Sequence, residues 1–549
     1  MMWHSARQSR TVAETDLTLR LMLNDARMFV RYAAGLREFL RHPLEPEECF
    51  RLVQRQLQNR RETFVGILKH GVYENARSPY RKLLEHAGVR FTDAAGLVER
   101  QGVEGALEEL HERGVYLTLE EFKGRKPIQR PGLHIDVRPR DFDNPLLTEH
   151  YESRTGGSRG ARTRLMIDLD LLTYEAAHTF LFMSEFGLLD RPTGMWRELP
   201  PGIVGIKTFL RQAKLGRRVE KWFTQRKQLA GLEELKFHLF TLFTGYFSRV
   251  WGAPMPKPEY VAPAEAGRIA HWLAEKRRNG TPALFDTNSS TGARVCLAAK
   301  EAGLDISGTF FRFSAEPYTP ARARLVKETG CRAASHYSAA EIGYIGLACG
   351  DPQAIDEVHL MEDKAGVIER EKQVGDSGLR VPALLFTTLL ASCPKIMLNV
   401  ELGDYAILER RRCGCLLDRM GFHRHLRDIR SFEKLNSEGM TFLGAQLIAL
   451  VEEVLPARFG GGPLDYQFVE EDSDGLPKVS LLMSPRLGPL NEQEVVDTIL
   501  EQLKACPGGR LMTDVWRGGQ VLRVLRREPY MTSALKLLPL HILRGDSAR

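Results

Sequence analysis

Residues 311–350, FRFSAEPYTPARARLVKETGCRAASHYSAAEIGYIGLACG, decide how the rest of the chain is read. Two loop-like motifs, Ser314-Ala315-Glu316-Pro317 and Tyr337-Ser338-Ala339-Ala340-Glu341, lie one helix-sized segment apart. Proline fixes its own φ and carries no N–H, so a turn punctuated by it leaves backbone groups free for a purine edge. A carboxylate nearby can hold magnesium, which takes hard oxygen ligands. The two motifs together predict a nucleotide site in an ATP-consuming enzyme.

Outward from that stretch, the 549 residues exceed one ordinary core and predict two or more domains. With 43% hydrophobic and 27% charged residues the composition is that of a globular protein. The formal charge of +7, from 77 basic and 70 acidic residues, is a mild excess. No basic stripe interleaved with aromatics accompanies it, so no nucleic-acid partner is expected. Met1 to Arg20 lacks an apolar core with a small-residue cleavage site, so no signal peptide is read there. The longest apolar run, Val381 to Leu398, holds two prolines and Lys395, which suits a buried strand and not a membrane span. Eight cysteines in such a chain indicate a reducing, cytoplasmic setting.

The texture divides the chain into three regions. Residues 1–145 are mainly helical, with Leu52, Leu57, Phe64 and Leu68 at near-helical spacing and a strand-like alternation at Leu133–Val137. In residues 146–430, strand-like runs such as Arg164–Leu169 alternate with helical ones such as Ala264–Arg277 and Ala293–Ala302, which predicts an α/β core. Residues 431–549 read as a small α+β domain: helix Leu443–Leu455, strands Leu464–Glu470 and Lys478–Met483, and helix Glu492–Cys506. The fold class expected is therefore multidomain α/β.

A glycine-rich loop precedes the Arg164–Leu169 run. Thr155-Gly156-Gly157-Ser158-Arg159-Gly160 offers bare amides, hydroxyls and an arginine, groups that hold phosphate oxygens. It is not a Walker A loop, because no Gly-Lys-Ser/Thr follows. It spells Gly-x-Ser-x-Gly, but a nucleophile elbow follows a strand and opens a helix, and this loop does the reverse. In order, this loop, Ser314–Thr319, Tyr337–Glu341, Leu402-Gly403-Asp404, Arg430, Gly439–Phe442 and Lys536 resemble the adenylate-forming superfamily. Within it the chain resembles the phenylacetate-coenzyme A ligase branch, which is similar to the acyl-protein synthetases of bacterial bioluminescence. The resemblance covers about residues 140–549.

The resemblance implies a large adenylate-forming core, a small mobile C-terminal domain and a role for each matching residue. Thr155, Gly156, Gly157, Ser158 and Gly160 would hold the β- and γ-phosphates; Ala315, Glu316 and Pro317 would line the adenine. Tyr337 would pack near the adenine or acyl group, Glu341 would ligate Mg²⁺, and Asp404 would accept the ribose hydroxyls. Arg430 would lie near ribose and phosphate, and Lys536 would neutralise charge developing between the carboxylate and the α-phosphate. Plainer readings exist: Asp404 shapes a turn after Gly403, Glu341 caps a helix, Arg430 sits on the surface, and Lys536 is one solvated lysine among several. The chain departs from the family at Ala161-Arg162, Ser338, Ala340, Phe432 and Leu535, where the family has, respectively, a proline after the loop, a glycine, a hydroxyl, an acidic hinge residue and a glycine. These departures bear on substrate type and domain rotation.

Cys413-Gly414-Cys415 brings two thiols into one tight turn, and Cys349 and His359 form a second pair ten residues apart. Together they make a Cys₃His set suited to structural Zn²⁺, as matching residues do in members of the same branch. The alternative is reduced, buried cysteines beside an unrelated histidine. His336, His423 and His425 are read as hydrogen-bonded structural groups before catalytic ones.

The function expected is ATP-dependent activation of a carboxylic acid to an acyl adenylate, followed by transfer to the thiol of coenzyme A or a carrier-protein phosphopantetheine. Its partners would be the acid, an acyl carrier protein and a second copy of the chain in a homodimer. Candidate acid-pocket residues lie in Asp286–Ser290 and Phe240–Phe247. The rival expectation is a non-catalytic adenylate-binding or scaffold protein of the same fold.

Overall fold

The computed structural model describes residues 30–147, 151–154, 164–200, 202, 204–225, 232–374, 379–432, 436–437, 440–441, 444–473, 476–504, 522–532 and 534–543. The Thr155–Gly160 loop lies outside them. Three sheets organise what is described.

The first is a six-stranded parallel sheet in the order Arg332–Ser335, Phe310–Ser314, Leu284–Asn288, Thr193–Trp196, Val219–Thr224, Glu259–Tyr260. Its central strands, LFDTN and FFRFS, are buried at every position. Runs without alternation are what a sheet covered on both faces requires. Helices Gly267–Arg278 and Ser289–Glu301 pack Ile269, Leu273, Val295 and Cys296 onto Phe285, Phe311 and Phe313. The second of these helices starts four residues earlier than the sequence pattern suggests. Asn288 and Thr291 form a capping box there, with the Asn288 N–H donating to Thr291 Oγ1 at 3.1 Å.

The second sheet has seven strands in the order Tyr337–Ala339, Gly343–Ala348, Val358–Leu360, Arg424–Ser431, Val400–Arg410, Leu379–Thr388, Ala365–Val374, and every pairing is antiparallel. Helix Leu169–Glu185 joins the two sheets. Its Phe182 and Met183 pack with Leu284 and Phe310 of the parallel sheet, and its Ala176 and Leu181 with Tyr344 and Leu347 of the antiparallel one. The front of the chain shares these cores. Phe64, Leu97, Leu107 and Phe142 pack with Val367, Leu385 and Leu426, and Tyr32 and Phe39 with Trp222.

The small C-terminal unit has a four-stranded sheet in the order Leu522–Arg526, Leu476–Met483, Tyr466–Ser473, Leu540–Leu543. Helix Glu492–Lys504 covers it with Val495, Ile499 and Leu503, which meet Phe468 and Leu481. Among the described residues no helix is long and apolar enough to cross a membrane.

Candidate nucleotide site and Cys/His cluster

From strand Thr193–Trp196 the chain runs outward to one side of the parallel sheet and returns to the other at Leu284–Asn288. Such a switch point, at the carboxyl ends of the strands, is where open α/β sheets bind ligands. Arg197 staples it. Its guanidinium donates to Asp286 Oδ1 at 2.6 Å, the Thr287 carbonyl at 2.8 Å and Ser314 Oγ at 2.8 Å, and also to Asn288 Oδ1. Nothing in the sequence singled out Arg197, since a lone arginine reads as solvated.

The turn after Ser314 sits on this platform. Ala315 adopts φ 69°, a left-handed conformation unusual for a residue with a Cβ. Glu316 points inward: its Oε1 accepts from the Leu537 N–H at 2.6 Å and its Oε2 from the Ser290 N–H at 2.9 Å. Arg322 lies 3.6 Å from the same carboxylate and 2.9 Å from Glu452. Asn288 Nδ2 donates to the Ala534 and Leu535 carbonyls at 2.9 and 3.0 Å. The C-terminal segment that carries Lys536 is therefore held on the Glu316 turn. Leu535, in the family's glycine position, adopts φ 66°, the backbone that glycine adopts freely. The Lys536 N–H donates to Thr532 Oγ1 at 3.1 Å and its carbonyl accepts from the Thr532 N–H at 2.9 Å, closing a tight loop.

A second group lies where the antiparallel sheet begins. The Tyr337 hydroxyl donates to Asp404 Oδ2 at 2.7 Å. Burial first, then the Asp404 charge, push this phenol well above its ordinary pKa, so it remains a donor. Asp404 lies within strand Val400–Arg410, not in a turn, opposite Ser431, and Arg430 pairs with the neighbouring Tyr405. Arg430 is neither fully exposed nor turned onto Asp404: it bonds the buried Asp356 at Oδ2, 2.5 Å away, and is itself largely covered. Glu341 caps no helix; it follows strand Tyr337–Ala339, and its Oε1 accepts from Lys123 Nζ at 2.6 Å. Burial would raise the Glu341 carboxyl, but Lys123 outweighs it and holds the pKa below the ordinary value.

Between the two sheets runs an enclosed network of charges that the sequence pattern did not reveal. Glu175 lies 3.1 Å from Lys207, 3.2 Å from Arg211 and 3.9 Å from Lys364. Burial opposes its ionisation, yet these cations hold its pKa down at about 2. Arg312 lies 3.6 Å from Asp286 and donates to the Tyr344 hydroxyl. His336 stands edge-on to Tyr344 at 4.8 Å. Burial, followed by Arg312, Arg211 and Arg197, drives it well below the usual imidazole pKa, so it is neutral and a weak base. The available signal was charged residues, Glu175 and the i,i+4 pair Lys207 and Arg211, set among apolar ones. Of the candidate acid-pocket residues, Asp286–Ser290 are all buried at the switch point. Phe240 instead packs on Tyr32 at 4.7 Å.

The structure brings Cys349, His359, Cys413 and Cys415 together, with one ligand atom of each within 4.8 Å of every other. His359 Nδ1 lies 2.9 Å from the Phe422 carbonyl, which fixes the tautomer and aims Nε2 at Cys415 Sγ, 3.1 Å away, and Cys413 Sγ, 3.5 Å away. Gly414, at φ 75°, makes the turn between the two cysteines. A hydrogen bond from Cys349, against the opposing effect of burial and with help from His359, holds the Cys415 thiol below its ordinary pKa, toward the thiolate form that a metal binds. His425 Nδ1 faces Glu357 at 2.7 Å and His423 Nδ1 faces Asp418 at 2.8 Å, which are structural roles.

No protein-family model and no curated protein sequence matches the chain. Solved structures do match. The 2-hydroxyisobutyryl-CoA ligase in its postadenylation state with 2-HIB-AMP aligns at a TM-score of 0.50 and 14% identity, over 92% of this chain and 91% of that one. The same ligase in an open conformation with 2-HIB-AMP and CoA aligns at 0.44 and 14%, over 93% and 91%. Acetoacetyl-CoA synthetase from Streptomyces lividans aligns at 0.40 and 13%, over 70% and 52%. The chain shares the fold of the 2-hydroxyisobutyryl-CoA ligase.

Proposed function

We propose that this chain activates a carboxylic acid with ATP and passes the acyl group to a thiol. The observation that carries the reading is the seating of the Lys536 loop on the Glu316 turn, at the switch point of the parallel sheet. In the first step the carboxylate oxygen attacks the α-phosphorus. The α–β phosphoanhydride bond breaks, leaving acyl adenylate and pyrophosphate. In the second a thiol of coenzyme A or a carrier-protein arm attacks the acyl carbon, AMP leaves, and the thiol proton is lost to solvent. Positioning and charge stabilisation supply the rate without a covalent enzyme intermediate.

Each residue has a place in that scheme. Ala315, Glu316 and Pro317 form the turn beside the adenine, with the Glu316 carboxylate acting as the clamp for the Lys536 loop. Asp404, oriented by the Tyr337 hydroxyl, accepts the ribose hydroxyls. Arg430, fixed by Asp356, braces the strand beside Asp404. Lys536 brings positive charge to the attacking and leaving oxygens, and the Thr155, Gly156, Gly157, Ser158 and Gly160 loop is assigned to the phosphates. Glu341 suits Mg²⁺: its position already draws a cation, the Lys123 ammonium. Bound there, the metal would shield phosphate charge.

The four residues Cys349, His359, Cys413 and Cys415 fit Zn²⁺ by donor type, closeness and the Phe422 carbonyl behind the imidazole. The set is complete without water, so the ion would join the loop after strand Gly343–Ala348 to the Cys413–Cys415 turn. Metal analysis of the purified protein should find about one equivalent of zinc, and less than about half would count against the site.

ATP–pyrophosphate exchange over a panel of aliphatic, aryl and dicarboxylic acids tests the reaction, and the absence of exchange with every acid would sink it. One observation favours the alternative of an adenylate-binding protein without full turnover. Phe432, in place of an acidic hinge residue, is buried against Val381 and Ala383, and such an anchor opposes rotation of the small domain. Nucleotide binding without pyrophosphate release would select that reading.

A further inference from the structure

The contact between Lys123 and Glu341 joins residues 218 positions apart and brings the helical front of the chain into the candidate nucleotide site. Lys123 is not a loose surface lysine. It closes the one-turn helix Leu119–Phe122, its N–H bonding the Leu119 carbonyl at 2.9 Å. A reciprocal Thr118–Glu121 capping box fixes the start of that helix. Phe122 anchors it in the core against Phe142, with ring centroids 5.0 Å apart. Only the lysine side chain reaches out, and it keeps 20% of its surface exposed against 8% for Glu341. The other nearby lysine is committed elsewhere: Lys395 Nζ bonds the Pro139 carbonyl at 2.6 Å and pairs with Asp143.

We propose that Lys123 is a displaceable stand-in for the divalent cation on Glu341, so that loading the metal–nucleotide complex requires Lys123 to release the carboxylate. This rests on the nucleotide reading of the site. A carboxylate buried in this way must be paired, and here the Lys123 ammonium pairs it. Magnesium binds carboxylate oxygen at about 2.0–2.1 Å and holds its shell rigidly. An ammonium hydrogen-bonded to that carboxylate puts two cations in adjoining positions, where a low dielectric makes their repulsion strong. The lysine's four-carbon stem lets its charge swing away while its backbone stays capped, which a guanidinium fork would do less readily. The front of the chain thereby sets how much metal the site needs.

The test is binding of α,β-methylene-ATP, whose α–β bridge cannot be cleaved, at a series of Mg²⁺ concentrations, followed by calorimetry on the full chain. Lys123→Met should lower the Mg²⁺ concentration for half-maximal binding about ten-fold or more, with maximal binding retained. An unchanged Mg²⁺ midpoint overturns the proposal and leaves the pair as a brace. Loss of analogue binding at saturating Mg²⁺ by a folded variant also overturns it, because the ammonium would then be a nucleotide ligand itself. Should the variant not fold, acetic anhydride labelling of the unaltered protein, read by mass spectrometry, decides. Lys123 should react faster when Mg²⁺ and the analogue are bound together than with neither, and equal or slower labelling overturns the proposal. Absence of analogue binding by the unaltered protein at every Mg²⁺ concentration fails the nucleotide reading and this inference together.

Discussion

Glu316 and Glu341 both follow a short Ser/Ala stretch of sequence and are both buried, yet they are neutralised in opposite ways. Glu316 accepts from two backbone N–H groups, of Leu537 and Ser290, with Arg322 behind at 3.6 Å. Glu341 is met by one flexible ammonium, Lys123 Nζ at 2.6 Å. Backbone donors cannot leave without moving a chain segment, whereas a lysine can leave by rotating its own bonds. The first carboxylate is thus a fastener between the small unit and the core, and the second is a site whose cation can be exchanged. Their sequence contexts look alike, and only the donors facing them tell them apart.

Breaking the fastener should have the largest effect. Glu316→Ala strands the Leu537 and Ser290 N–H groups and leaves Arg322 with Glu452 as its one paired carboxylate. Loss of a buried charge with its hydrogen bonds predicts destabilisation of about 3 kcal/mol. Because the lost bonds hold the Lys536 segment, limited proteolysis should cut residues 530–538 faster in the variant than in the parent protein. Unchanged proteolysis there would remove Glu316 from its role as the clamp.

Breaking the exchangeable pair should have a smaller effect, of about 1–2 kcal/mol near neutral pH for Lys123→Met, because the lysine is partly solvated. Its pH dependence separates it from the Glu316 effect. In the parent protein the folded-state pKa of Glu341 lies below its ordinary value of 4.5. Its stabilisation is therefore present above that ordinary value and is lost as the pH falls through the folded-state pKa. Without Lys123 the burial contribution dominates and the folded pKa rises above the ordinary one. The variant then loses stability as the pH rises through that interval. The difference in melting temperature between the two proteins should therefore widen from pH 4 to pH 7, and a constant difference would show that Glu341 is not the group responding.

Legibility in the sequence followed the same division. The α/β class is legible from helical segments such as Ala264–Arg277 and Ala293–Ala302, a local pattern. The strand-like run Arg164–Leu169, by contrast, forms a separate antiparallel pair through Arg164–Ile167, and the parallel sheet's strands LFDTN and FFRFS, which mix polar with apolar residues, carry no such signal. Two of the small unit's four strands and its last helix were readable from local pattern, with ends shifted by a few residues. Tyr337, Asp404 and Glu341 could be picked out by motif order, and the Cys₃His set by residue type. Their partners could not. Lys123 and Arg197 make contacts 218 and 89–117 positions away, to Glu341 and to Asp286 and Ser314. A local window offers only an ordinary charged residue in each case. The bend of Arg430 toward Asp356, 74 positions distant, escaped the pattern for the same reason.

The finest distinction concerns two residues with almost the same backbone on either side of the fastener. Ala315, at φ 69°, exposes its side chain, while Leu535, at φ 66°, buries its own in the core of the parallel sheet. A left-handed backbone costs a residue with a Cβ about 1–2 kcal/mol, and glycine removes that cost. Glycine also loses more entropy on folding, by about 0.5–1 kcal/mol. Ala315→Gly therefore relieves strain, sacrifices no buried surface and should stabilise the protein by about 0.5 kcal/mol. Leu535→Gly relieves the same strain but removes a buried leucine worth about 1.5–3 kcal/mol, so it should destabilise by about 1–2 kcal/mol. Chemical denaturation of the pair measures both, and the opposite signs are what matter. If both substitutions stabilise, Leu535 contributes strain and little packing, and the segment carrying Lys536 is held mainly by hydrogen bonds such as those of Glu316 and Asn288.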